Sequence, residues 1–300
     1  MSGRSRMLMW CVAMLASVSA CGGPLRSQDF VDAVGWTPDG RILVAASAYE
    51  RPATLWMAEP GENLRRVPFD YCEPIQVWSV FRRSSGRVGL TVWCAEPHEP
   101  QLVALDLVTG RVELLGAAAW ITDGFWPEAL SAGLVEYSAG TCQGVGELDR
   151  SGVIRPLMAG FPQPGDSGCA ASALARWPAV APGGRYLAYF LHSCDGRCTG
   201  EGEFEGAWRV TVQDRVTGHV EVSASTFARP HGLAVSDGGT IAVSARLRDT
   251  TGIWFCPSPT CAEPRRVATG AFQSPDFRAD GTMLVAVEIG EKEPRLIDLA

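Results

Sequence analysis

The stretch Trp36-Thr37-Pro38-Asp39-Gly40-Arg41-Ile42-Leu43-Val44-Ala45-Ala46-Ser47 decides how the chain is read. It holds the end of one strand, a tight turn, and a second strand of small and β-branched residues. Pro38 presets φ at a turn position, and Gly40 tolerates the positive φ that closes a hairpin. The phrase returns as Phe277-Arg278-Ala279-Asp280-Gly281-Thr282-Met283-Leu284-Val285-Ala286-Val287. Looser copies run from Phe81 to Val92, Val180 to Phe190 and Val235 to Ala245. A recurring strand-turn-strand unit is a statement about architecture first.

Aligning the turn glycines gives Gly40, Gly86, Gly133, Gly184, Gly239 and Gly281, separated by 46, 47, 51, 55 and 42 residues. Four-stranded propeller blades repeat roughly every 40–50 residues. The expected fold is therefore all-β: a six-bladed β-propeller of four-stranded antiparallel blades over residues 31–300. The third unit is degenerate, with Gly133 at the turn position but no Pro or Asp before it. The longer fourth unit holds its surplus in Ser193 to Gly206. The sixth lacks an obvious last strand, which residues 24–30 are expected to supply. The Pro-Asp/Gly-Gly phrases resemble the repeats of TolB-like six-bladed propellers. That resemblance implies architecture, because activity varies widely among proteins of this fold.

Bulk composition narrows the function classes. Hydrophobic content of 46% with 20% charged residues describes an ordinary globular chain. The formal charge of −7 becomes −9 without residues 1–20, which carry Arg4, Arg6 and no acid. Such a balance argues against a nucleic-acid surface.

The N-terminus reads as an address. Arg4 and Arg6 precede an apolar run from Met7 to Val18, too short to span a bilayer comfortably. The run ends Val18-Ser19-Ala20-Cys21-Gly22-Gly23. This is similar to a bacterial lipoprotein signal, with residues 1–20 removed and 21–30 left as a short tether. The resemblance implies acylation (a palmitate-type anchor) at Cys21, membrane attachment through that residue, and an extracytoplasmic location. A cleaved secretory signal that happens to contain Cys21 is the plainer alternative.

Eight cysteines remain besides Cys11 and Cys21. An even set in an exported chain reads as disulfides. Cys194 and Cys198 flank a turn sequence, and Cys256 and Cys261 bracket a Pro-rich loop. Antiparallel pairing brings Cys72 to Cys94, which leaves Cys142 for Cys169. A zinc site built from the two close pairs is the alternative, but they belong to different repeats. No metal and no cofactor are expected.

No Walker loop, His-Glu-x-x-His or Gly-x-Ser-x-Gly elbow occurs. The repeat itself supplies the geometric pointer. The innermost strand of each blade begins beside the channel, so equivalent positions there form a ring. Eight residues before the turn glycines lie Asp32, Trp78, Phe125, Arg176, His231 and Gln273. Insertions in the second and third turns make Gln76 and Asp123 the alternatives in those blades. The ligand-binding candidates are thus Asp32, Trp78, Asp123, Arg176, His231 and Gln273. Either they form a self-satisfied polar plug, or they receive a small anion or a partner peptide at Arg176 and His231.

Together these readings lead to a membrane-anchored, non-catalytic propeller that binds an envelope protein or cell-wall component. An extracellular hydrolase or lyase with its site at the channel mouth is the competing expectation. Strongly shifted titratable groups at one mouth would favour the enzyme, and a large exposed apolar patch the binder.

Overall fold

The computed structural model describes residues 29–48, 51–83, 86–169, 171–194, 198, 206–291 and 293–299. Blade one contains β1 (Asp29–Trp36), β2 (Ile42–Ala48), β3 (Arg51–Ala58) and β4 (Arg65–Val67). Blade two contains β5 (Pro74–Arg82), β6 (Arg87–Cys94), β7 (Pro100–Asp106) and β8 (Val112–Ala117). Blade three contains β9 (Ile121–Phe125), β10 (Gly133–Ala139), β11 (Cys142–Leu148) and β12 (Ile154–Pro156). Blade four contains β13 (Ala173–Val180), β14 (Tyr186–Ser193), β15 (Arg209–Asp214) and β16 (Val220–Val222). Blade five contains β17 (Ala228–Val235), β18 (Ile241–Leu247), β19 (Thr250–Cys256) and β20 (Arg265–Thr269). Blade six shows β21 (Phe272–Phe277), β22 (Met283–Glu288) and β23 (Pro294–Asp298) among the described residues. Within each sheet, neighbours in space are neighbours in sequence, and every pairing is antiparallel.

The blades form a six-bladed β-propeller. The first strands touch in a closed circuit, β1 to β5, β9, β13, β17, β21 and back to β1. Apolar sheet faces pack blade on blade, because a single blade has no second layer to cover it. Between blades four and five, for example, the rings of Phe190 and Phe227 meet edge-on at 6.3 Å.

Local chemistry explains where strands stop. Gly40, Gly86, Gly184, Gly239 and Gly281 all have φ between 70° and 83° at the turn between first and second strands. Asp39 accepts a 2.5 Å hydrogen bond from the Thr37 hydroxyl and pairs with Arg41, so it serves its own turn. Asp280 does the same for Arg278 and Thr282. A second recurring device closes the outer hairpins. Asp106 and Asp214 each end a third strand and accept backbone N–H groups of the following turn.

Two expectations need correction. Gly133 is not a turn glycine: it opens β10, paired with Leu148. Its missing side chain leaves room for the Trp126 ring, which a Cβ would meet at 2.9 Å. The turn of blade three is instead the longer connection 126–132. Asp29 and Phe30 lengthen β1, the innermost strand of blade one, opposite Ala48 and Ser47, and do not complete blade six. Residues 24–28, Cys21 and the signal segment lie outside the described residues.

All four expected disulfides are present: Cys72–Cys94, Cys142–Cys169, Cys194–Cys198 and Cys256–Cys261, with Cα separations of 4.8 to 5.9 Å. They fit an oxidising, extracytoplasmic compartment.

Blade six meets blade one through a buried polar junction. Asp276 Oδ2 accepts the Trp36 backbone N–H at 2.7 Å, and Trp36 Nε1 donates to the Asp276 carbonyl at 3.1 Å. Arg82 of blade two donates to the Phe277 carbonyl at 2.5 Å and stands 3.5 Å from Asp276 Oδ1. Removing one member of a buried charge pair strands the other, at a cost of about 3–5 kcal/mol. Asp276→Ala is therefore expected to lower unfolding free energy by about that amount in urea titrations. Asp276→Asn, which keeps an acceptor for Trp36, is expected to cost clearly less.

Candidate functional site

Every first strand carries a β-bulge or register irregularity. The registers skip Asp32 in β1, Trp78 in β5, Thr122 in β9, Trp177 and Pro178 in β13, Arg229 to His231 in β17, and Ser274 and Pro275 in β21. A bulged residue leaves the hydrogen-bonded ladder, and its side chain is re-aimed. Here the six bulges re-aim residues into one cavity of about 290 Å³ on the propeller axis.

Three of these bulges hold non-glycine residues with positive φ: Trp177 at 48°, Arg229 at 47° and Ser274 at 49°. Each is followed by proline, Pro178, Pro230 and Pro275. Left-handed non-glycine residues cost of order 1–3 kcal/mol and cluster at functional sites. The strain is held in three neighbouring blades, all facing the same cavity.

Asp32, Trp78, Asp123, Arg176, His231 and Gln273 all line this cavity, as do Gln76 and Phe125. Arg176 and His231 lie on first strands, β13 and β17, as the repeat count requires. In blade three the longer 126–132 connection shifts the count. Thr122 is the bulge residue there, and Asp123 and Phe125 follow it.

Glu136 is a charged cavity residue the count misses, because it comes from a second strand, β10. It is 4% exposed. Its Oε2 accepts the strained Trp177 backbone N–H at 2.6 Å, and its Oε1 accepts from Thr122 at 3.3 Å and lies 3.5 Å from Arg176 Nε. The sequence did carry a signal: a lone carboxylate inside the apolar run Gly133-Leu134-Val135-Glu136-Tyr137. Proline inside three first-strand runs was a second signal, since proline in a strand marks a bulge or an edge.

Part of the ring is structural. Gln273 Nε2 donates to the carbonyls of Val31 and Asp32 at 2.9 and 3.2 Å, joining blades six and one. The hydroxyls of Ser79 and Thr91 both reach the Gly124 carbonyl, at 2.9 and 2.7 Å. Arg176 stacks its guanidinium 3.9 Å from the Trp177 ring centroid. Asp32 is different. Its Oδ1 accepts from Ser47 at 2.8 Å, while its buried Oδ2 has no hydrogen-bond partner.

Burial pushes the Asp32 carboxyl up to about 6, against opposing hydrogen bonds from the Ser47 hydroxyl and the Val77 backbone. Burial pushes Asp123 up to about 8, with the Glu136 charge adding to the shift. His231 is lowered, by burial and then by the Arg229 charge. The mouth thus holds two carboxyls that titrate in different parts of the neutral range.

A second, smaller hollow of about 30 Å³, lined among others by Val80, Val180, Leu233, Arg82 and Asp276, lies toward the other ends of the first strands. The larger cavity lies nearer the face where first strands begin. Antiparallel order puts the second-to-third connections on that face too, along with those leading into each next blade. Three of the four disulfides, Cys72–Cys94, Cys142–Cys169 and Cys194–Cys198, staple connections on this face. The exposed aromatic residues of the described chain, Phe30, Trp93 and Trp120, are 59%, 36% and 49% exposed and all stand on it. Trp93 also touches the cavity residue Trp78, ring centroids 5.9 Å apart. Among the described residues no group of three His, Cys, Asp or Glu side chains is placed to hold a metal ion.

No protein-family model matches the sequence, and no curated protein matches it. Solved structures share the fold. TolB from Acinetobacter baumannii superposes with a TM-score of 0.56 at 16% identity, over 86% of this chain. This chain spans 63% of that TolB chain. An oligogalacturonate lyase solved with manganese gives 0.54 at 12% identity, covering 91% of this chain and 90% of the lyase. A chain of a nidogen/laminin complex gives 0.58 at 10% identity, covering 87% and 90%. These likenesses establish a TolB-like propeller architecture and nothing about activity.

The raised carboxyls give stability a definite pH profile. Above the ordinary carboxylate range the unfolded chain has lost protons that folded Asp32 and Asp123 still hold, so stability falls as pH rises. Asp32 completes this near pH 6, and depressed His231 acts in the opposite sense below its ordinary 6.5. Between about pH 6.5 and 8, Asp123 alone of the three is still titrating. Melting temperature is expected to decline across that window and level off above it. Burial also raises the Asp276 carboxyl, so Asp123→Asn is expected to lessen the decline.

Proposed function

We propose that this chain is an extracytoplasmic recognition propeller, held at a membrane by acylated Cys21, that binds an envelope protein or cell-wall component at its channel mouth without catalysis. One observation carries the reading: bulges in all six first strands direct polar and aromatic side chains into one cavity. The disulfides support it by fixing the surrounding connections. Backbone strain at Trp177, Arg229 and Ser274 supports it as well, because a packing plug needs no strained ring. Exposed aromatic residues beside the mouth give a partner something to press against.

A specific observation favours a second reading, a hydrolase or lyase at the same mouth. With Asp32 near 6 and Asp123 near 8, a neutral solution keeps the first mainly ionised and the second mainly protonated. Such a split supplies a base and an acid lining one cavity. This reading requires a bell-shaped rate profile between those values, abolished by Asp123→Asn.

The test is affinity capture from detergent-solubilised envelopes. Wild-type protein is expected to capture a partner whose retention is altered in the Arg176→Ala/His231→Ala double variant. Cys21→Ser is expected to move the protein from the detergent phase to the soluble fraction. Equal capture by both proteins would refute recognition at the mouth. Unchanged partitioning of Cys21→Ser would remove the lipid anchor.

A further inference from the structure

Charge is distributed unequally between the two faces. Among the described residues, the connections on the mouth face carry eight carboxylates and one arginine, Arg248. The connections on the opposite face carry eight carboxylates and seven arginines. Several of the latter neutralise one another locally, as Arg41–Asp39 and Arg278–Asp280 do. The mouth-face connections are thus acidic and the turn-face ones balanced, while Arg209, Arg229 and Arg295 stand exposed where strands begin on the mouth face.

The cavity continues that sign inward. Asp32, Asp123 and Glu136 face it from β1, β9 and β10. The facing cation is Arg176 of β13, which lies against Glu136 and the Trp177 ring. His231 of β17 is held toward its neutral form, with Arg229 beside it on the same strand. The walls between these groups include Trp78 and Phe125. Carboxylates beside aromatic faces are the environment an ammonium or guanidinium group stabilises.

We propose that the channel mouth binds a basic, extended polypeptide segment, with one lysine or arginine side chain inserted into the cavity between Asp32 and Asp123. The proposal rests on the reading of the mouth as a recognition site and names what is recognised. A cavity of about 290 Å³ accepts one long side chain. A ligand confined to that volume would leave the surrounding carboxylates and the rings of Phe30, Trp93 and Trp120 unengaged. A polypeptide engages both. Salt screens the outer charges and leaves the inserted cation less affected.

The linkage has a fixed sign. At pH 5.5 the empty cavity holds protons on its raised carboxyls, and an inserted cation must displace them. Affinity therefore rises with pH until Asp123 is ionised. An opposite charge at close range shifts a carboxyl by one to three units, so the gain from pH 5.5 to 8.5 is on the order of tenfold or more.

The experiment uses three dye-labelled octapeptides, carrying four arginines, four glutamines or four glutamates, followed by fluorescence anisotropy on the oxidised protein. The arginine peptide is expected to bind, more tightly at pH 8.5 than at 5.5, and the other two are not. Asp32→Asn/Asp123→Asn is expected to weaken binding at least tenfold and erase the pH dependence. Trp93→Ala, at an exposed position that leaves the core intact, is expected to weaken it severalfold. Asp39→Asn/Asp280→Asn on the opposite face is expected to leave it unchanged. Equal binding of all three peptides, or arginine-peptide binding indifferent to the cavity variant, overturns the proposal. Envelope capture that depends on Arg176 and His231, without arginine-peptide binding, overturns the cationic partner alone. Failure of both overturns the recognition site with it.

Discussion

Closure at Asp276 is the constraint on which the rest depends. A row of stacked sheets has two open ends, and a ring needs one more interface than a row. Among the described residues blade six has three strands, so the junction of its first strand with blade one matters more than elsewhere. There a carboxylate accepts the Trp36 N–H while Arg82 reaches across from blade two. Buried charge is a costly way to gain stability. What this junction supplies is register: Trp36, Asp276 and Arg82 satisfy one another in a single arrangement of three blades.

The ring of first strands also shapes the cavity. The space shrinks from about 290 Å³ beside the bulges to about 30 Å³ beside Val80, Val180, Leu233, Arg82 and Asp276. Burial in the larger part raises Asp32 and Asp123, because little water is left to solvate their charge. Architecture and electrostatics are two aspects of one geometry.

Much of this was legible in the sequence because turns obey local rules. Gly40, Gly184, Gly239 and Gly281 announce their hairpins through backbone conformation alone, and counting back eight residues found Asp32, Arg176, His231 and Gln273. The count slipped in blade three, where Gly133 is small to make room for Trp126 and not to make a turn. Local signals cannot distinguish those two uses of glycine. Glu136 escaped because it reaches the cavity from a second strand, and Asp276 because its partners lie 240 and 194 positions away in sequence. Cysteine pairing was readable for the opposite reason: each pair spans 27 residues or fewer.

The ring of bulges separates two kinds of information that most sheets keep together. A residue inside a ladder is constrained by its opposite neighbour and by the sheet packed behind it. Asp32, Trp78, Thr122, Trp177, His231 and Ser274 have been lifted out of that bookkeeping. Their side chains stand outside the backbone ladder that holds the surrounding strands together. Six such positions, one per blade, form a rewritable surface on a fixed frame. For a scaffold of this kind, specificity is a short circular word of six letters, and it has to be read across the ring, not along the chain.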